Sequence, residues 1–128
     1  MTATITSKET RGKNFGVQKL VDGSHNTYWA SGDDFHTPAI EFSWKENIEF
    51  DLIRLREFIP LGQRIESFQV EIFDNNQWTK IAEASSVGAA RIIYLNNPVT
   101  AKRVRVKINA SPVCIALSEV GFYKKSDL

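Results

Sequence analysis

Ten consecutive residues, Leu20-Val21-Asp22-Gly23-Ser24-His25-Asn26-Thr27-Tyr28-Trp29, hold the densest set of chemically useful groups in this chain. A carboxylate, a glycine turn and several small oxygen-bearing side chains crowd together ahead of two aromatics. Oxygens on a tight turn suit a hard cation such as calcium, which prefers carboxylates, carbonyls and hydroxyls. Tyr28 and Trp29 would fix such a turn onto a core. A packed surface turn with no metal fits the same residues, and on these residues alone the two readings stand level.

Nothing in the chain has the spacing of a catalytic centre. Nucleophilic or hydrolytic chemistry needs a nucleophile, a base and a charge-stabilising group within reach of one another. The only histidines are His25 and His36, and no G-x-S-x-G, H-E-x-x-H, P-loop or G-x-G-x-x-G pattern occurs. The carboxylates Asp33, Asp34, Glu57, Glu66 and Glu71 could in principle act in pairs on a glycoside, but surface ion pairing explains them more simply. The single cysteine, Cys114, leaves no intrachain disulfide and no cysteine-based zinc site. Its neighbours Val113 and Ile115 predict a small buried thiol. The isolated chain is expected not to be an enzyme.

The 128 residues, 42% of them hydrophobic, suffice for one domain with a real core. A net charge of +1 argues against nucleic acid, which calls for a basic surplus. Lys102, Arg103, Arg105 and Lys107 form a local basic stretch among alternating valines, as a solvated strand face would. No apolar run reaches membrane-spanning length. Residues 1–13 are polar, without the pattern of a signal peptide, and are expected to be a flexible lead-in or a start cut within a longer protein. Residues 125–128 are expected to be a tail.

The elements that must carry these groups are mostly strands. Asn14 to Val21 has one-sided helical spacing, with Asn14 as cap and Gly23 past its end. Pro38 opens a strand in which Ile40, Phe42 and Trp44 alternate with polar residues. Ile48 to Ile59 fits a helix or a strand whose phase slips by one, and its Ile and Phe content favours a bulged strand. Phe68 to Ile72 and Trp78 to Ile81 flank Asp74-Asn75-Asn76-Gln77, and Asn tolerates the positive φ of a tight hairpin. Arg91 to Leu95 is a strand broken by Asn96-Asn97-Pro98. Val104, Val106 and Ile108 alternate, and Ile115 to Tyr123 closes the chain with a phase change. Short strands at near-regular spacing predict an all-β sandwich.

In combination these segments resemble the discoidin domains, also called coagulation-factor type C domains, a group that includes the family 32 carbohydrate-binding modules. The likeness runs over residues 14–124: Lys19 to Trp29, Pro38 to Trp44, Phe50 to Glu57, Gly62 to Glu71, Arg103 to Val106, and Ser118 to Tyr123. The stretch Arg56-Glu57-Phe58-Ile59-Pro60-Leu61-Gly62-Gln63-Arg64 further resembles the non-catalytic C-terminal domain of bacterial α-L-fucosidases of glycoside hydrolase family 29. The resemblance implies a jelly-roll, galactose-binding-like β-sandwich. It also implies a structural calcium ion held by the carbonyl of Lys19, the side chain of Asp22, the carbonyl of Ser24, the hydroxyl and carbonyl of Thr27, and the carboxylate of Glu119.

For function, the resemblance implies a carbohydrate-binding accessory module for glycans ending in galactose or fucose. Its site would lie in loops at one end of the sandwich. His36 stands nine residues after Thr27, as in some galactose binders, with Phe35 beside it as a stacking face, Arg64 as a sugar-gripping arginine, and Glu57 and Asn109 at strand ends facing the same rim. Each also has a structural reading: His36 as a solvated loop residue, Phe35 as a core plug, Arg64 as a partner of Glu57 or Glu66. Trp29, Trp44 and Trp78 look structural. The expected setting is a secreted, periplasmic or cell-surface bacterial protein, monomeric, with the catalytic domain of a parent hydrolase as partner. Two further roles compete. One is an appendage packing on a catalytic barrel through Ile59, Leu61 and Phe73. The other is a protein- or membrane-surface binder using Phe58, Ile59 and Leu61, for which the balanced charge gives little pull toward anionic lipid.

Overall fold

The computed structural model describes residues 3–7, 10, 16–24, 26–32, 34 and 36–127. Among the described residues seven strands form in chain order: β1 (Thr4–Thr6), β2 (Trp29–Ala30), β3 (Ala39–Glu57), β4 (Ser67–Asp74), β5 (Gln77–Ala84), β6 (Arg91–Ala110) and β7 (Ala116–Tyr123). Single 3₁₀ turns occupy Val17–Leu20, Ile59–Leu61 and Lys125–Asp127. The strands pair in the order β2-β7-β3-β6-β4-β5, with β1 on the other side of β3, and every pairing is antiparallel. The fold is the expected β-sandwich.

Its two layers share their longest strands. β3 has 19 residues and β6 has 20, well beyond the usual strand of roughly 3–10. The first half of β3 pairs with β1 and the second half of β6, while its second half pairs with β7 and the first half of β6. One layer is therefore β1, β3, β6, β4 and β5, the other β2, β7, β3 and β6. Register shifts between Ser43 and Ile48, and between Phe50 and Leu52, mark where the pair passes from one layer to the other. Lys45, Glu46 and Asn47 are exposed at the first of these bends.

The expected phase slip in β3 is present: Phe50, Leu52, Ile53 and Leu55 are all buried, so alternation breaks at Leu52–Ile53. Asn96-Asn97-Pro98 does not end its strand as expected. The backbone stays extended while pairing lapses, since Phe50 pairs with Val99 and Leu52 with Tyr94. Proline lacks an N–H, and a gap in the ladder is where it is tolerated. Thr4–Thr6 of the expected lead-in pair with Ser43, Phe42 and Glu41; three residues are too few to announce a period. At the other end, the amide of Lys125 donates to Asp51 and the ammonium of Lys124 meets Glu49 at 2.7 Å. The first part of the expected tail is thus pinned. The helical segment is one turn, Val17–Leu20, burying Leu20. Gly23 beyond it has φ +74°, and the suggested cap Asn14 lies outside the described residues.

The core joins Ile40, Phe42, Val104, Val106, Ile108, Phe68 and Val70 of one layer to Ile53, Leu55, Leu117 and Val120 of the other. Phe122 is edge-on to Phe42, Trp44 and Phe50 with centroids 5.1, 5.7 and 5.2 Å away, the arrangement that ring quadrupoles favour. The two arginines of the basic stretch of β6 are neutralised on the outer face. Arg103 pairs with Glu41 at 2.6 Å and Arg105 with Glu71 at 2.8 Å, and their guanidiniums lie 4.4 Å over Phe73 and 4.3 Å over Trp78. The hydrogen bond from Arg105 holds the Glu71 carboxyl below the ordinary glutamate range. Phe73 thus belongs to the β4–β5 hairpin, at the opposite end of β4 from the loop carrying Ile59 and Leu61. The three do not make the continuous apolar patch expected of them.

Asn75 and Asn76 close that hairpin with φ +51° and +63°, the pair of left-handed residues a type I′ turn demands. A branched side chain there costs roughly 1–2 kcal/mol. Asn76→Val is expected to lower stability by about that amount and Asn76→Gly to leave it unchanged, measured by urea denaturation; equal stabilities would refute the turn assignment.

Candidate functional site

The loops that follow β3 and precede β7 meet at one end of the sandwich around a single carboxylate. Glu57 ends β3 in phase with Ile53 and Leu55, so ordinary alternation turns it inward. It is only 3% exposed. Its Oε1 accepts the amides of Arg64 and Ile65 at 2.8 and 2.9 Å, and its Oε2 accepts the amide of Gly88 at 2.9 Å. In return the Glu57 amide donates to the Gly88 carbonyl at 2.9 Å. Gly88 has φ +66°, a conformation that leaves glycine the natural choice. A buried carboxylate is tolerated when donors aimed at it replace water. Glu57 therefore ties the 58–66 and 85–90 loops together, and its oxygens face these amides instead of the rim where sequence reasoning put them.

That brace fixes Arg64. Its guanidinium reaches the Cys114 carbonyl at 2.9 Å, the Cys114 sulfur at 3.7 Å and the Leu61 carbonyl at 3.2 Å. Its own carbonyl accepts the Ser111 hydroxyl at 3.0 Å. Neither acidic partner considered for the Arg64 side chain is used; the residue links the 58–66 loop to the 111–115 loop through carbonyls. Cys114, expected to be buried, is only partly so. The 31–38 loop is anchored beside it: Ser31 and Ile115 exchange hydrogen bonds at 3.1 and 2.9 Å, and the Ile108 amide donates to the Pro38 carbonyl at 3.0 Å. His36, exposed two residues before Pro38, thus shares the end of the sandwich that carries Arg64. Phe35 lies outside the described residues. Asn109 is exposed one residue before β6 ends and donates to Gln69 at 3.0 Å. Phe58 is not a free tip, because it stacks on Tyr28 at 4.2 Å. The Tyr28–Phe58 stack, Gly88 and the Cys114 carbonyl had no sequence signal, since each meets its partner across tens of residues.

Three of the expected metal ligands, Asp22, Ser24 and Thr27, lie together in the loop before β2. The Asp22 carboxylate accepts the Ser24 amide at 2.9 Å and the Thr27 hydroxyl. These bonds, Thr27's first, lower its pKa and so favour the anion. Lys19 donates its amide to Gly16 within the preceding turn. Gly23 and Ser24 line the same cavity as Glu119, so the first loop and the last strand do come together. The Glu119 carboxylate, however, is held by Arg56 at 2.8 Å, with Arg54 at 3.7 Å. Among the described residues no three His, Cys, Asp or Glu side chains cluster for a metal. The oxygens of the Asp22 loop fit a hard ion, and Glu119 fits it only by exchanging a guanidinium for the cation.

Removing the Glu57 carboxylate strands the buried amides of Ile65 and Gly88 and the part-buried amide of Arg64, a buried one being worth about 1–3 kcal/mol when unsatisfied. Glu57→Ala is expected to cost at least about 3 kcal/mol in urea denaturation and Glu57→Gln clearly less. Equal losses would show that the amides are not what this side chain serves.

With the geometry in view, comparisons with known proteins are specific. A crystal structure from Bacteroides thetaiotaomicron, of a protein assigned as an α-L-fucosidase, superposes with a TM-score of 0.89 at 32% identity, covering 95% of this chain and 27% of that one. Alpha-L-fucosidase 1 of Arabidopsis thaliana is 24% identical over 126 residues, 94% of this chain and 25% of that protein. The chain thus spans about a quarter of the length of these relatives. The family 32 carbohydrate-binding module of C. perfringens NanJ, solved with galactose, shares the fold with a TM-score of 0.83 at 14% identity, covering 95% of this chain and 93% of that one. The model of the F5/8 type C domain matches residues 3–120, and on that match this chain belongs to the F5/8 type C, or discoidin, domain family.

Proposed function

We propose that this chain is a non-catalytic carbohydrate-binding module serving a secreted or cell-surface glycoside hydrolase of the α-L-fucosidase type. The observation that carries the reading is the braced rim: Glu57 holds the loop bearing Arg64, at the end of the sandwich where Ser31 and Pro38 anchor the segment that carries His36. Fixed donors on a rim can grip sugar hydroxyls without a large ordering cost. Fucosidases about four times as long as this chain are among its relatives, and family 32 modules share the fold, which supports an accessory role beside a catalytic domain. Glycans ending in galactose or fucose are the ligands this reading favours. Binding is weak, because a monosaccharide in a shallow rim buries little area.

Calorimetric titration with galactose and fucose tests this. His36→Ala, which leaves the loop bonds of Arg64 in place, is expected to weaken binding at least about tenfold, or 1.4 kcal/mol, while the unfolding midpoint stays within a few degrees; Arg64→Ala is expected to weaken binding and loosen the 111–115 loop as well. No heat from either sugar at millimolar concentration would remove the reading. A second role, docking on the parent's catalytic domain, draws support from Ile59 and Leu61, each 42% exposed beside Arg64; it predicts loss of the parent enzyme's thermal stability, not of sugar affinity, when both become serine.

We also propose a structural calcium ion on Lys19, Asp22, Ser24, Thr27 and Glu119. When bound, it would supply a charge that ties the first loop to β7, and it would take no part in chemistry. A ligand that binds only the folded state stabilises it by mass action. Millimolar calcium is expected to raise the melting temperature by about 5 °C over chelator-treated protein, and Asp22→Ala to abolish the difference. Identical melting curves would exclude the ion.

A further inference from the structure

Residues 91–95 of β6 border the layer that contains β7. They pair with β3 in unbroken register, from Arg91 opposite Leu55 to Tyr94 opposite Leu52, and among the described residues no strand pairs with their other side. An edge strand turns the N–H and C=O of alternate residues away from its sheet, open to a further strand. Folds blunt such edges with charge, proline, bulges or brevity. That is done elsewhere here: β5 carries Lys80 and Glu83, with side chains 48% and 63% exposed, and a register shift against β4, while β1 and β2 are short. Ile92-Ile93-Tyr94-Leu95 has neither charge, proline nor bulge. Its outward side chains are bare as well. Ile92 is 44% exposed and Tyr94 62%, the highest among the large hydrophobic side chains described. Tyr123, on the same outer face, is taken up within its own strand: it folds over Gly121, where a Cβ would collide with the phenol ring, and its hydroxyl reaches Glu119 at 3.4 Å. Tyr94 has only the Lys125 ammonium near its ring, at 5.8 Å.

We propose that this edge receives a second copy of the chain, in a two-fold antiparallel ladder centred on Ile93, in place of the expected monomer. Ile92 of each copy then stands opposite Tyr94 of the other, so the two exposed side chains cover each other twice. Aromatic and β-branched residues are a favoured cross-strand pair. A two-fold interface asks one patch to complement itself, and this segment does, which singles out a second copy over an unrelated strand. Charge permits the pairing. Arg91 is the one charged residue of the segment, and its two copies lie four residues apart along the ladder. That is about 14 Å at strand rise, beyond the Debye length of about 8 Å in physiological salt. A net charge of +1 per chain adds little repulsion. So short a ladder falls below the roughly 1,200 Å² of lasting interfaces, so the dimer is reversible and forms at high concentration. Residues 85–90 lead from the rim into β6, and an antiparallel ladder therefore turns the two rims to opposite ends. On the rim reading given above, the dimer bridges two glycan-bearing surfaces instead of gripping one; the ladder itself does not depend on that reading.

Sedimentation equilibrium of the whole chain without sugar, from about 10 μM to about 1 mM, tests the ladder. The mass is expected to rise from 14.5 kDa toward twice that value, and amide hydrogen exchange at residues 92–94 to slow in step. Tyr94→Lys is expected to lower the association constant at least about tenfold. Ile92→Lys and Tyr94→Glu are each expected to self-associate poorly yet to associate with one another when mixed, because lysine then faces glutamate across the two-fold axis. Amide spectra identify any variant that fails to fold, and the exchange rates of the wild-type chain then carry the test. A mass that stays at 14.5 kDa throughout would overturn the dimer and leave the edge to a strand of another protein. Association that Tyr94→Lys leaves unchanged, or that slows no exchange at residues 92–94, would overturn it too. A dimer that binds no sugar would remove the bridging role and leave the ladder standing.

Discussion

The arrangement of this molecule's loop end depends on one buried anion. Glu57 falls where the inward alternation of β3 would continue into the core, and no cation faces it among the described residues. Desolvating a carboxylate is costly, so the chain must deliver donors to it. Three backbone amides from two loops do so, and those loops can then take essentially one conformation. The Glu57 carboxylate thereby sets the position of Arg64, and Arg64 in turn sets the 111–115 loop through the Cys114 carbonyl. The rim is rigid because its centre is polar.

The neighbouring residue works by opposite logic. Arg56 points outward, and with Arg54 it holds Glu119 on the outer face of β7. The consecutive pair Arg56-Glu57 therefore fastens β3 to β7 on one face and to the loops on the other. A bulge at Ser118, where Arg56 pairs with Glu119 but Glu57 pairs with Leu117, lets both happen at adjacent positions. On β6 the guanidiniums of Arg103 and Arg105 are matched to carboxylates and laid over rings, which offsets much of the strand's positive charge. With little net field on the surface, recognition falls to shape, aromatic faces and fixed hydrogen-bond groups.

Much of the architecture was legible because it follows from a period of two. The strands containing Ile40 to Trp44, Phe68 to Ile72 and Val104 to Ile108 alternate openly, and the Asn75-Asn76 pair admits little but a tight hairpin. The slip at Leu52–Ile53 was readable as a bulge. What misled was local punctuation. Asn96-Asn97-Pro98 reads as a stop, yet it sits in a ladder gap between two layers, where proline's missing donor does no harm. Thr4–Thr6 carried too short a pattern to register, and its strand exists because β3 offered an open edge. Glu57 read as a surface acid at a strand end, since a sequence shows that a residue can be charged but not which donors will surround it.

The sequence by itself determined the sandwich, its turns and the family to which it belongs, because alternation, turn chemistry and side-chain type are local properties that survive without coordinates. Only the tertiary structure decided what the polar residues do. The partners of Glu57, Arg64, Glu119 and Tyr123 come from other strands and loops or, for Tyr123, from a backbone fold over Gly121. Hydrogen bonds and desolvation act over a few ångströms in space, however far apart the groups lie along the chain, and that proximity is set by the folded chain alone.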